Sequence, residues 1–194
     1  MLSIVFATSN PNKTREVKEM LPEGFAIKSL QEIGCTEEVP ETSPTIEGNA
    51  IQKAHYVRDN YGVDCFAEDT GLEVTALDGD PGVYSARYAG PQRDATDNMD
   101  LLLKNLADKS DRSARFKTVI AFTLNGQTHT FTGIVNGTIA TKKTGKDGFG
   151  YDPIFLPENH KISFAEMDKK QKNEISHRGR AMAKFLAFLD QLPD

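Results

Sequence analysis

From Ser3 the chain runs Ile-Val-Phe-Ala to Thr8, an apolar stretch with a β-branched centre that predicts a buried strand. The period then changes. Asn10 is a capping residue, Pro11 suits a first helical position, and Val17, Met20 and Leu21 share one helical face before Pro22 and Gly24 end it. Phe25 to Leu30 predicts a second strand. Ser43-Pro44 predicts another helix start, and Ile46, Ala50, Ala54 and Val57 recur at helical spacing as far as Tyr61. Asp64 to Glu68 predicts a strand ending in acids, and Leu72, Val74 and Ala76 alternate as the next. Asp94 to Leu106 predicts a helix. Arg115 to Leu124 and Gln127 to Val135 flank Asn125-Gly126, the strongest hairpin signal in the chain. Gly145 to Pro153 predicts a loop, and a last helix begins near Ser176 with Met182, Phe185, Leu189 and Leu192 on one face. Strand–helix units mixed with a hairpin predict an α/β fold with a mixed β-sheet flanked by helices, the hairpin region belonging to a second lobe across a cleft.

Composition narrows the class. A chain of 194 residues suits one domain over 1–194, and a hydrophobic fraction of 38% argues against disorder. The formal net charge of −5 weighs against a nucleic-acid polymer as partner, which needs a basic face. No apolar stretch is long enough for a bilayer and no signal-peptide pattern opens the chain, so no membrane association is expected. Cys35 and Cys65 stand apart with no metal-binding spacing, which predicts free thiols and a cytoplasmic location.

Four segments carry candidate chemistry. In Thr8-Ser9-Asn10-Pro11-Asn12-Lys13 a strand feeds a helix start, where unpaired N–H groups and the helix dipole favour an anion. Lys13 is disfavoured there unless an anion lies near it; alone, the segment also fits a capped helix with a solvated lysine. Glu68 and Asp69 end a strand where open α/β sheets bind ligands, and only one of the two should face a given cleft. Their hard oxygens suit Mg2+ shared with substrate phosphates, although a bare acid pair is more often simply solvated. Glu37, Glu38 and Glu41 form a further acidic patch. The run from Gly145 to Pro153 sets Phe149 and Tyr151 among glycines and aspartates, where an aromatic ring could stack on a base or plug the loop from below. Lys172 and the Ser176-His177-Arg178 helix start add further cations. A polyanion with a metal and a flat ring answers all four, and a nucleoside triphosphate has these parts.

At these residues the sequence resembles the inosine triphosphate pyrophosphatase (Ham1-like) family. The resemblance rests on Thr8 to Lys13, Glu41-Thr42, Asn49-Ala50 with Lys53, Glu68-Asp69-Thr70-Gly71, Pro81 to Arg87, Gly148 to Pro153 and Ser176 to Arg178, in order along nearly the whole chain. It implies hydrolysis of ITP, dITP and XTP between the α- and β-phosphates. The implied metal is Mg2+ on Glu41 and Asp69, with Asp69 also the proton acceptor. The implied substrate contacts are Thr8, Ser9, Asn10, Pro11, Asn12, Lys13 and Lys53 around the phosphates, with Thr70 a further substrate contact. For the base they are Phe149, Gly150, Tyr151 and Asp152, joined by Lys172, His177 and Arg178. It further implies two lobes with a central substrate cleft, and a homodimer. Ser9 stands where the family more often has glycine, which puts close backbone approach to phosphate in question. The other readings are a Maf-like pyrophosphatase for other nucleotides and a non-catalytic nucleotide-binding module, against which the carboxylates argue.

Overall fold

Asn10 ends the first apolar run and starts the first helix. The computed structural model, which describes residues 2–192, places β1 at Leu2–Phe6 and α1 at Pro11–Met20, with Pro11 in the first turn as expected. The Asn10 side chain accepts from Asn12 N at 2.9 Å and Lys13 N at 3.4 Å. Those two amides are therefore paired within the turn, which corrects the expectation of open donors there. An asparagine at this position does locally what an anion would otherwise do.

β2 (Phe25–Lys28) lies parallel to β1, and so does β3 (Cys65–Val74). Between them α2 (Ile46–Tyr61) is capped by Thr45, whose Oγ1 accepts from Gly48 N at 3.0 Å. The expected cap was Ser43. Its Oγ instead accepts from Thr45 N at 3.3 Å, and the helix starts two residues later. β3 is one strand of ten residues where the sequence predicts two. Asp69 and Gly71 disfavour strands intrinsically, but burial overrides so weak a preference.

α3 (Ala95–Asn105) leads into β4 (Ser113–Leu124) and β5 (Gln127–Ile139). Asn125 and Gly126 both take positive φ, 50° and 80°, as a two-residue hairpin turn requires. β6 (Phe155–Pro157), absent from the sequence reading, pairs antiparallel with β5. The sheet order is β2-β1-β3-β4-β5-β6, so the expected mixed sheet is present. α4 (Lys169–Ile175) ends at Ser176, and α5 (His177–Leu189) follows at once.

The chain divides into two compact units, and β3, β4 and β5 contribute residues to both. The first comprises Met1–Asp69, Thr118–Gly133 and Arg178–Asp194. Its core joins Ile4, Phe6, Val17, Phe66, Phe122 and Phe185, with the Phe6 and Phe66 rings stacked at 4.3 Å. The second comprises Thr70–Lys117 and Ile134–His177, around Leu72, Leu102, Phe116, Phe155 and Phe164. Among the described residues no helix is long and apolar enough to cross a membrane.

Candidate active site

In the first unit the chemistry gathers at the middle of β3, around Glu68 and Asp69. Successive strand residues face opposite ways, and the two acids divide accordingly. Glu68 is fully buried and accepts Arg178 Nε and Nη2, each at 2.7 Å. Arg178 Nη1 donates to Glu16 at 2.5 Å. Burial opposes the guanidinium charge, but Glu68 and Glu16 together outweigh it and hold its pKa above the ordinary value. Glu16 went unnoticed in the sequence. The signal was present, since Lys13, Glu16, Val17 and Met20 fall at i, i+3, i+4 and i+7 and put two charges on an apolar helix face.

Lys13 is the other charge on that face. Its Nζ lies 3.3 Å from both Glu68 O and Glu68 Oε1. An anion of the chain's own thus answers the cation that sits badly against the helix dipole. Burial pulls the Lys13 pKa down, and Glu68 only partly restores it.

Asp69 turns the other way, toward α2. Its Oδ1 is 3.3 Å from Lys53 Nζ, and its Oδ2 accepts from Asn49 Nδ2 at 3.4 Å. Lys53 also donates to Glu68 O at 2.8 Å and to Glu41 Oε1. Burial raises the Asp69 pKa, and the opposing pull of Lys53 and Lys13 does not cancel it. The Lys53 pKa is raised as well: burial works against its charge, but Asp69 and Glu41 prevail.

Glu41 lies in the segment before α2 and is held there by that helix. Gln52 pairs with Thr42 twice, accepting from its N and donating to its Oγ1, each at 2.8 Å. Asn49 Oδ1 accepts from Ser43 N at 2.8 Å. Asn49, Gln52 and Lys53 stand at i, i+3 and i+4, so one helix face fixes the segment and aims both carboxylates. The sequence reading gave neither Asn49 nor Gln52 a role; nothing local distinguishes them from solvated amides. Among the described residues no three His, Cys, Asp or Glu side chains gather as a metal cluster. Two carboxylates and a backbone carbonyl on one ammonium are still a donor set of hard oxygens converging on a cation.

In the second unit, Asp152 organises the loop before β6. Its Oδ2 accepts from Phe149 N and from Lys172 Nζ, both at 2.7 Å. Gly148 (φ 77°) makes room, since a Cβ there would lie 2.2 Å from that oxygen. Lys172 Nζ stands 5.1 Å from the centre of the half-buried Phe149 ring. Tyr151, grouped with Phe149 in the sequence, is instead a core residue: its ring is buried and its hydroxyl donates to Ser85 O at 2.8 Å. His177 is buried against Phe116, ring centroids 4.5 Å apart. Ser9 and Pro11 are exposed, Thr8, Asn12, Thr70 and Gly150 half-buried.

The dITP/XTP pyrophosphatase of Flavobacterium johnsoniae is 56% identical over 188 residues, covering 97% of this chain and 98% of that protein. The dITP/XTP pyrophosphatase of Bacillus subtilis is 44% identical over 194 residues, with 98% of each covered. Among solved structures, a HAM1 protein from Coxiella burnetii superposes with a TM-score of 0.91 at 38% identity, covering 99% of this chain and 100% of that one. The description of the Ham1 family fits residues 4–188, and the chain belongs to that family.

Proposed function

We propose that this chain hydrolyses non-standard purine nucleoside triphosphates, dITP, XTP and ITP, to the monophosphate and pyrophosphate, and so clears deaminated purines from the nucleotide pool. The observation that carries this reading is the convergence of Glu41, Asp69 and Glu68 O on Lys53, with Lys13 on the same Glu68 carbonyl. A pure binder of polyanions gains nothing from carboxylates placed there, whereas a hydrolase needs one.

In this reading Lys13, Lys53 and the carboxylates around them take the phosphates. Lys13 and Lys53 offset charge on the phosphate oxygens as the bond to the leaving group breaks. Asp69, oriented by Asn49, accepts the proton of the attacking water at a carboxylate oxygen; a raised pKa suits it to that task. Glu41, Asp69 and Glu68 O fit Mg2+, which keeps several waters and shares itself with substrate phosphates. A bound Mg2+ would supply charge neutralisation on those phosphates.

The Phe149 loop takes the base. Phe149 offers a ring face, and the Lys172 ammonium, set by Asp152, offers a donor at its edge. Hypoxanthine and xanthine present a 6-keto acceptor where adenine presents an amino donor. Leaving a buried donor unmatched costs about 1–3 kcal/mol, enough to disfavour ATP. Gly150, Tyr151 and Asp152 shape this wall, and His177 closes it against Phe116. Arg178 acts through Glu16 and Glu68. A cytoplasmic homodimer completes the proposal, the two buried free cysteines being consistent with a reducing compartment.

The test is a substrate panel of dITP, XTP, ITP, ATP, dGTP and dTTP with Mg2+, scored for monophosphate and pyrophosphate. Pyrophosphate from dITP and XTP well above that from ATP is expected. Preference for dTTP would move the chain to the Maf-like reading, and no pyrophosphate from any substrate would leave a binding module.

A further inference from the structure

Lys53 touches the two carboxylates proposed to hold the metal, Glu41 and Asp69, and the Glu68 carbonyl between them. Its side chain is 6% exposed, so these contacts are its surroundings rather than one surface option among many. All three acceptors are hard oxygens of the kind a small dication takes at about 2.0–2.1 Å. An ion at that distance from the same oxygens would collide with Nζ and repel it. The ammonium and the metal therefore compete for one position.

Two features make the competition resolvable. The lysine stem has rotatable methylenes and carries its charge at one compact point, so the ammonium can leave while the helix stays in place. The rest of the site stays supported: Asn49 and Gln52 hold Ser43, Thr42 and Asp69 independently of Lys53. Lys13 cannot replace Lys53, since its two contacts here are both to Glu68.

We propose that Lys53 is the resident counter-cation of the metal position. It neutralises Glu41 and Asp69 until the metal enters; the metal then displaces it, and its ammonium becomes available to a phosphate oxygen of the incoming nucleotide. This rests on the reading of Glu41 and Asp69 as metal ligands. It adds that Lys53 lowers intrinsic metal affinity, so that nucleotide, by taking up the displaced ammonium, tightens metal binding.

The test is titration of nucleotide-free protein with Mn2+ alone, followed by calorimetry. Lys53→Met keeps the length of the stem and removes the charge. It should bind Mn2+ at least about tenfold more tightly than the parent chain, since a like charge beside a dication is gone. Its melting midpoint should fall in chelator and recover with Mn2+ by more than the parent's does. Equal or weaker Mn2+ binding by folded Lys53→Met overturns the proposal. If that variant does not fold even with Mn2+, the parent chain decides: amine labelling of Lys53, read by mass spectrometry, should rise on adding Mn2+, and unchanged or reduced labelling refutes displacement. The two readings separate cleanly. Tighter Mn2+ binding with no dITP hydrolysis by the parent removes the enzymatic reading alone; dITP hydrolysis with weaker Mn2+ binding by Lys53→Met removes this one alone.

Discussion

Arg178 is the largest fully buried side chain among the described residues, and its guanidinium meets carboxylates on two sides, a pair with Glu68 and a single contact with Glu16. A buried charge set of this kind contributes little over well-packed apolar groups, but breaking it leaves stranded charges. Arg178→Met should therefore destabilise by about 3–5 kcal/mol, read from the urea midpoint at constant slope. A cost below about 1 kcal/mol, the range of exposed pairs, would show that the triad is solvated in practice. At this scale the sequence was legible where a residue conflicts with its local setting. Lys13 at a helix start and the Glu68-Asp69 pair announced themselves, and the structure pairs Lys13 with Glu68 and Asp69 with Lys53. Glu16 and Gln52 were not read, and Asn49 entered only through the resemblance and without a role, because their partners are supplied from elsewhere in the chain.

Helix α2 is the element that sets the site. Thr45 caps it, Asn49, Gln52 and Lys53 face the Glu41 segment, and Gly48 lets that segment lie close. A Cβ on Gly48 would sit 1.9 Å from Ser43 Oγ and 2.8 Å from Ser43 Cβ. Gly48→Ala gains about 1 kcal/mol of helix propensity, yet it must push Ser43 and the nearby Glu41 aside. Turnover of dITP should drop, by as much as about a hundredfold for a shift of 1 Å, while the helical circular-dichroism signal is retained. Unchanged turnover would mean that the segment absorbs the methyl without moving Glu41. The sequence predicted this helix from its apolar period but placed its cap two residues early. At β3 it saw a break where the tertiary structure keeps one strand. In both places short-range preferences were outvoted by longer-range packing and pairing.

Across the whole molecule, acid stability is a sum over carboxylates with opposite signs. Glu37 is held down to about 2, first by the Tyr61 hydroxyl, then by its own backbone N–H and Tyr56. Its folded pKa lies below the ordinary 4.5, so the unfolded chain binds more protons between these values. The Glu37 contribution is complete above that ordinary value and is lost as pH falls toward 2. Glu32 and Glu166, lowered chiefly by backbone N–H groups of Ser29 and Ser163, act in the same direction. Asp69, raised by burial, acts in the opposite one. Glu37→Gln should therefore flatten the fall of the melting midpoint between about pH 4.5 and pH 2; a fall as steep as the parent's would show that Tyr61 does not favour the ionised carboxylate. What the sequence by itself determined are the features made by neighbours: the apolar periods, the Asn10 and Pro11 helix start, the Asn125-Gly126 turn and the adjacent Glu68-Asp69 pair. Capping, turn chemistry and periodicity act over a few residues, so the chain states them directly. Only the tertiary structure decided that Arg178 meets Glu16 across 162 positions, that Lys53 stands among Glu41, Asp69 and the Glu68 carbonyl, and that Tyr151 is core while Phe149 is not. Those pairings depend on which strands lie side by side, and strand adjacency is fixed by burial and long-range hydrogen bonding rather than by any local pattern.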